Sequence, residues 1–234
     1  AAEKIIRSAG REDRRFLLEH EAKQLLVLHG APVSNDRLAQ TEDEAVEIAR
    51  EIDVDVALKI VSPDIMHKSD AGGVKIRLNG DKNIRKAFKE IVHNAKTYNP
   101  EADIRGVLVS PIGQGGIVVK ICTKTDDPFG PVIMFGLGGI LVEILKVVAF
   151  LVLPITPTAA RQMIKDTKSY PILDGVRGNA PSDKKALEKL LLLCSEVIEA
   201  YPEIQEMDLN PVIVHEKGLS LVDARIILNN DSDE

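Results

Sequence analysis

The segment from Leu58 to Val74 carries Lys59, His67, Lys68 and the paired glycines Gly72 and Gly73 on what reads as an apolar strand and the loop after it. Lysine ammonium groups and free backbone N–H groups are what a bound polyphosphate needs, and glycine lets the backbone approach it closely. A histidine in such a cationic loop could attack phosphorus through a neutral ring nitrogen. Each residue also has a plainer reading: a strand lysine as a solvated edge residue, a loop histidine as an inert surface group.

A second constellation lies near the C-terminus. Residues 207–214 and 219–228 read as strands joined by His215-Glu216-Lys217-Gly218. If Val214 pairs with Leu219, then Asn210 faces Asp223 and Asp208 faces Arg225. Strand side chains alternate with period two, so all four polar groups project from one face. A carboxylate and an amide oxygen on neighbouring strands are hard ligands, suited to Mg²⁺ shared with substrate phosphates. The alternative is a solvated hairpin face with an incidental Asp208–Arg225 pair.

Weaker candidates complete the set. Gly136-Leu137-Gly138-Gly139 is an anion cradle if a helix starts there, and otherwise a tight turn. Arg177, within Gly175-Val176-Arg177-Gly178, could neutralise phosphate or be a plain loop residue. His20, His29, His93 and His215 sit among helix or turn residues and read as surface groups.

The elements that must position these residues alternate irregularly. Apolar spacing predicts helices from about Leu18 to near Gly30, over 42–52 with Thr41 and Glu44 as a capping box, and over Asp81–Ala95. Further helices are expected over Ala159–Thr167 and Asp183–Ala200. Strands are expected at Val56–Val61, Gly73–Leu78, Val107–Pro111, 117–122 and 131–135. This mixed order argues for an α+β fold.

Hydrophobic residues make up 44% of the 234 positions and charged residues 28%, which suits a globular protein with a sizeable core. That length fits one large domain or two small subdomains. A net charge of -6, without a basic patch interleaved with aromatics, argues against nucleic-acid binding. Cys122 and Cys194 lie far apart without a CxxC spacing, which points to a reducing cytoplasm. The longest apolar run, Ile140–Pro154, contains Glu143 and Lys146 and is too short to span a bilayer. The opening Ala-Ala-Glu-Lys has no hydrophobic signal core, so neither membrane insertion nor export is expected.

The string from Leu58 to Val74 closely resembles the nucleotide-binding β subunit of ADP-forming acyl-CoA synthetases, a family with the ATP-grasp fold related to succinyl-CoA synthetase. The resemblance extends through Phe129–Gly139, Leu173–Gly178, Glu206-Met207-Asp208-Leu209-Asn210-Pro211 and Val222-Asp223-Ala224-Arg225. It implies two α+β subdomains with ATP or ADP between them, here expected as residues 1–108 and 109–234. It implies that Asp208, Asn210 and Asp223 line a Mg²⁺ site, that Lys59, Gly72, Gly73 and Arg177 serve the nucleotide, and that Val109 on the hinge strand meets the base. His67 would carry the phosphoryl group, with Glu143 steadying the charged imidazole. A CoA-binding α subunit would complete a hetero-oligomer catalysing acyl-CoA + ADP + phosphate = acid + CoA + ATP.

Several positions depart from the family pattern. Val118 stands where an acid usually reaches the ribose hydroxyls, Lys120 and Cys122 replace an apolar residue and a glycine, and Val147 and Leu151 replace an acid and an arginine. These leave two other functions open: a regulatory or scaffolding subunit that binds nucleotide poorly, and the ATP-grasp part of a larger fusion protein.

Overall fold

The computed structural model describes residues 1–113, 115–138, 148–168, 170–176 and 180–229. The chain forms two compact units, one of Ser34–Gln114 and one combining Ala1–Val33 with Gly115–Glu234. The sequential division at 108/109 does not describe these units, because the first 33 residues pair and pack with the C-terminal part.

Helix α1 (Ala2–Arg11), the two-residue strand β1 (Phe16–Leu17) and helix α2 (Glu19–Leu28) open the larger unit. The α2 start is fixed by Glu21, whose carboxylate accepts the Leu18 N–H at 2.8 Å and a two-pronged pair from Arg14. Such a reciprocal bond satisfies a donor that the first helical turn leaves open.

The smaller unit follows, with β2 (Arg37–Ala39), α3 (Glu42–Ile52), β3 (Val56–Val61), β4 (Val74–Leu78), α4 (Asp81–Tyr98) and β5 (Gly106–Pro111). Its sheet runs β2-β5-β3-β4, antiparallel throughout. Thr41 Oγ1 accepts the Glu44 N–H at 3.2 Å, the expected cap of α3, while the Glu44 carboxylate reaches back to the Gln40 N–H. Ala45, Val46 and Ala49 of α3 and Ile84, Phe88, Ile91 and Ala95 of α4 form one apolar cluster with Val56, Leu58, Ile60, Val107 and Val109. Both helices therefore cover the same sheet face.

The larger unit resumes with β6 (Ile117–Asp126), β7 (Gly130–Leu137) and β8 (Val148–Val152), then α5 (Pro157–Asp166), the short α6 (Tyr170–Leu173) and α7 (Lys184–Ala200). Strands β9 (Ile204–Val214), β10 (Leu219–Leu221) and β11 (Ala224–Leu228) close it. The sheet order is β1-β11-β9-β6-β7-β8, with β10 paired to β9. Leu25 and Leu26 of α2, Met163 and Ile164 of α5 and Leu187, Leu190, Leu191, Cys194 and Val197 of α7 pack on Val119, Ile121, Phe135, Met207, Leu209, Val212 and Ile226. The apolar stripe of α7 is core, as its spacing implies. Alternation then sends Lys120, Cys122, Asp208 and Arg225 to the opposite sheet face.

Candidate functional site

In the smaller unit Lys59 is only 6% exposed, in a strand whose six residues are all buried. The solvated-edge reading therefore fails, because β3 lies between β5 and β4. A buried ammonium has to be partnered rather than hydrated, and Lys59 is not left without such an interaction. Lys59 pairs in register with Val74 and Leu108. The Ile60 N–H donates to the Gly73 carbonyl at 2.8 Å, so the loop from Ser62 to Gly73 leaves and returns beside Lys59. His67 is exposed on this loop, and its carbonyl accepts the Ala71 N–H at 3.3 Å.

The paired glycines have a steric role in this loop. A Cβ on Gly73 would lie 2.5 Å from Ile60 Cγ2, and Gly72 adopts φ +60 with Asn94 closing over it. The Gly72 N–H donates to the Ser69 carbonyl at 3.1 Å and the Gly73 N–H to the Lys68 carbonyl at 2.7 Å. The N–H groups expected to cradle a polyphosphate are thus already hydrogen-bonded inside the loop. The glycines permit its tight return past Ile60.

Val109 is fully buried in the cluster beneath α3 and α4, on the face opposite Lys59. Its side chain belongs to the core of the unit and is not presented on the Lys59 face. Parity assigns the Lys59 face to Leu108 and Ser110 instead, both buried, and Ser110 Oγ has no hydrogen-bond partner among the described residues.

In the larger unit the hairpin takes the anticipated register. Leu219 pairs with Val214, Leu221 with Val212, Ala224 with Leu209 and Arg225 with Asp208. Between them the Asn210 N–H donates to the Asp223 carbonyl at 3.3 Å and the Val222 N–H to the Pro211 carbonyl at 3.0 Å. Asn210 and Asp223 are therefore opposite neighbours. The β6–β9 register shifts here, with Val119 opposite Val212 and Ile121 opposite Leu209, so Asn210-Pro211 bulge against Lys120. A bulge in a central strand is where proline, lacking an N–H, is tolerated. The Asn210–Pro211 peptide is cis.

Asp208 is held in a perturbed, partly buried setting. Its Oδ1 is buried without a hydrogen-bond partner among the described residues, and its Oδ2 lies 3.2 Å from Lys120 Nζ. Burial raises its carboxyl above the ordinary value, while the Lys120 charge pulls the other way. An orphaned carboxylate oxygen beside an amide and a second carboxylate fits a hard divalent cation. Among the described residues no three His, Cys, Asp or Glu side chains gather as a metal cage. Two carboxylates and an amide suit a cation whose remaining ligands are phosphate oxygens or water. Cys122, opposite Asp208, has its thiol pushed up to about 11, first by burial and then by Asp208 and Glu206.

Two supports of this hairpin have no motif. Lys23 of α2 is buried, pairs with Glu19 at 3.0 Å and donates to the Val222 carbonyl next to Asp223. A lysine at i+4 from a glutamate amid Ala22, Leu25 and Leu26 is the sequence signal for such a buried pair. Asp183, the cap of α7, accepts the Ala186 N–H at 2.9 Å and the hairpin Gly218 N–H at 2.8 Å. Glu143 and Arg177 lie outside the described residues.

The ATP-grasp domain family matches residues 8–228. A Pyrococcus furiosus protein, acetate–CoA ligase (ADP-forming) I subunit beta, is 47% identical over 230 residues, covering 97% of each chain. A solved structure of Ca. Korarchaeum cryptofilum acetyl-coenzyme A synthetase 1, dinucleotide forming, with coenzyme A, Ca-AMPCP and HgCl⁺, superposes with a TM-score of 0.93 at 45% identity, covering 98% of this chain and 100% of that one. A second, with coenzyme A and Mg-AMPPCP and its phosphohistidine segment pointing towards the nucleotide binding site, gives a TM-score of 0.85 at 42% identity, with coverage of 98% and 100%. Full-length agreement in sequence and fold assigns the family: this chain belongs to the ATP-grasp β subunits of the ADP-forming acetate–CoA ligases.

Proposed function

We propose that this chain is the nucleotide-binding subunit of an ADP-forming acyl-CoA synthetase, in which His67 relays a phosphoryl group to and from ADP. The observation that carries the reading is the end-to-end likeness to a ligase β subunit, combined with a buried lysine beside the histidine loop. In the direction of ATP formation, an oxygen of the ADP β-phosphate attacks phosphorus on the phosphorylated imidazole. The N–P bond breaks, the ring nitrogen keeps the electron pair, and the new O–P bond makes ATP. Such a transfer needs positioning and charge neutralisation more than covalent help from the protein.

Lys59 neutralises phosphate charge, and Leu108 and Ser110 take the base-side role expected of Val109. Gly72 and Gly73 shape the His67 loop, Glu143 steadies the charged imidazole and Arg177 meets phosphate. Asp208, Asn210 and Asp223 would hold Mg²⁺, which when bound neutralises phosphate charge. The other half of the reaction belongs to a CoA-binding α subunit, making the assembly a hetero-oligomer, and the expected compartment is the cytoplasm. Among the described residues no helix is long and apolar enough to cross a membrane.

The test is reconstitution. The isolated chain should make no ATP from acetyl-CoA, ADP and phosphate with Mg²⁺, and should do so once its CoA-binding α subunit is added. Turnover by the chain alone would overturn the subunit reading. Weak or absent nucleotide binding, without turnover in the pair, would favour a scaffold instead.

A further inference from the structure

We infer that Lys120 is a tethered cation that competes with the divalent metal for Asp208, weakening the grip of this site on metal–nucleotide. The inference rests on the metal assignment of Asp208, Asn210 and Asp223 proposed above.

Three observations carry it. Lys120 lies opposite the Asn210-Pro211 bulge, on the face of the sheet shared by Asp208. Its Nζ is 3.2 Å from Asp208 Oδ2, in contact with one oxygen of the carboxylate whose other oxygen is buried without a partner. The two side chains are only 27% and 23% exposed, so water screens their charges incompletely.

A divalent ion placed on Asp208 meets the ammonium within the width of one carboxylate group. Repulsion scales with the product of the charges, so a monovalent cation against a divalent one doubles the penalty of a like pair. Asp208 also divides its attraction between the two cations. Lysine is a flexible stem ending in a compact charge, so the ammonium can swing aside, and the site is weakened without being closed. The neighbouring Cys122 does not offset this. Sulfur is a poor partner for a hard cation.

The experiment titrates Mn²⁺ into the intact protein at saturating ADP and follows free Mn²⁺ by electron paramagnetic resonance. Lys120→Met, which keeps the length and removes the charge, should bind Mn²⁺ at least about fivefold more tightly, an affinity change of about 1 kcal/mol. Lys120→Arg, which keeps the charge, should stay within about twofold of the parent. Unchanged or weaker binding in Lys120→Met would overturn the inference, as would equal tightening in Lys120→Arg. Asp223→Ala separates the two readings. If it weakens Mn²⁺ binding while Lys120→Met does nothing, the competition alone fails. If it leaves binding untouched, the metal site itself fails and the competition falls with it.

Discussion

At the scale of single residues, Lys59 and Val118 make opposite predictions. Replacing both members of a buried ion pair by apolar groups is often neutral, whereas removing one member leaves the other unpaired and is destabilising. Lys59→Met should weaken ADP binding about tenfold or more, the loss of one charged hydrogen bond, beyond any cost in melting temperature. A fall in melting temperature with ADP affinity intact would make Lys59 a structural lysine. Val118 is 37% exposed on β6, at the position where the family resemblance leads one to expect a ribose-binding acid. Val118→Glu should tighten ADP about fivefold, worth about 1 kcal/mol, and the gain should vanish with a nucleotide lacking both ribose hydroxyls. Calorimetry with both nucleotides decides the point, and a gain that survives loss of the hydroxyls would mark a general electrostatic effect.

At the scale of elements, Asp183 joins the start of α7 to the hairpin carrying Asp208, Asn210 and Asp223. Hydrogen bonds from the Gly218 and Ala186 N–H groups hold its carboxyl below the ordinary carboxylate value. A carboxyl depressed in the folded state stabilises the protein fully above its unfolded value, and that contribution fades as pH falls through the folded value. Asp183→Ala should cost about 1 kcal/mol at neutral pH, a typical N-cap loss. Denaturant titrations across pH should show the gap holding down to the ordinary carboxylate range and closing below it. A gap that widens in acid would contradict the assignment.

Elements also divide what the sequence reveals from what it hides. The β9–β11 hairpin was legible because polar and apolar residues alternate there and Gly218 marks the turn, so one assumed pair fixed every other. The capping box at Thr41 and the stripes of α4 and α7 were legible for the same local reason. Val109 was not, because Val107, Leu108, Val109 and Ser110 are all buried, and a strand buried on both faces carries no alternation to orient it. The glycines misled differently: Gly72 and Gly73 look the same in sequence whether their N–H groups await phosphate or close a loop. Lys23 and Asp183 act on the hairpin through contacts far apart in sequence, which no motif encodes.

At the scale of the whole molecule, the discontinuous larger unit is the feature least visible in the sequence. Its β1 is two residues long, and it is placed by pairing Phe16 with Ile227 across almost the entire chain. Composition alone sets only broad limits, with a charge of -6 and scarce aromatics steering the reading away from nucleic acid. Family membership supplies the rest of the frame, and the central claim it leads to is that His67 carries phosphoryl groups for ADP and ATP. That claim is most directly tested by incubating the protein with γ-labelled ATP and Mg²⁺ and assaying label on the chain. The account predicts acid-labile, alkali-stable label that disappears in His67→Asn while the fold persists; label retained at another residue in that variant would contradict it.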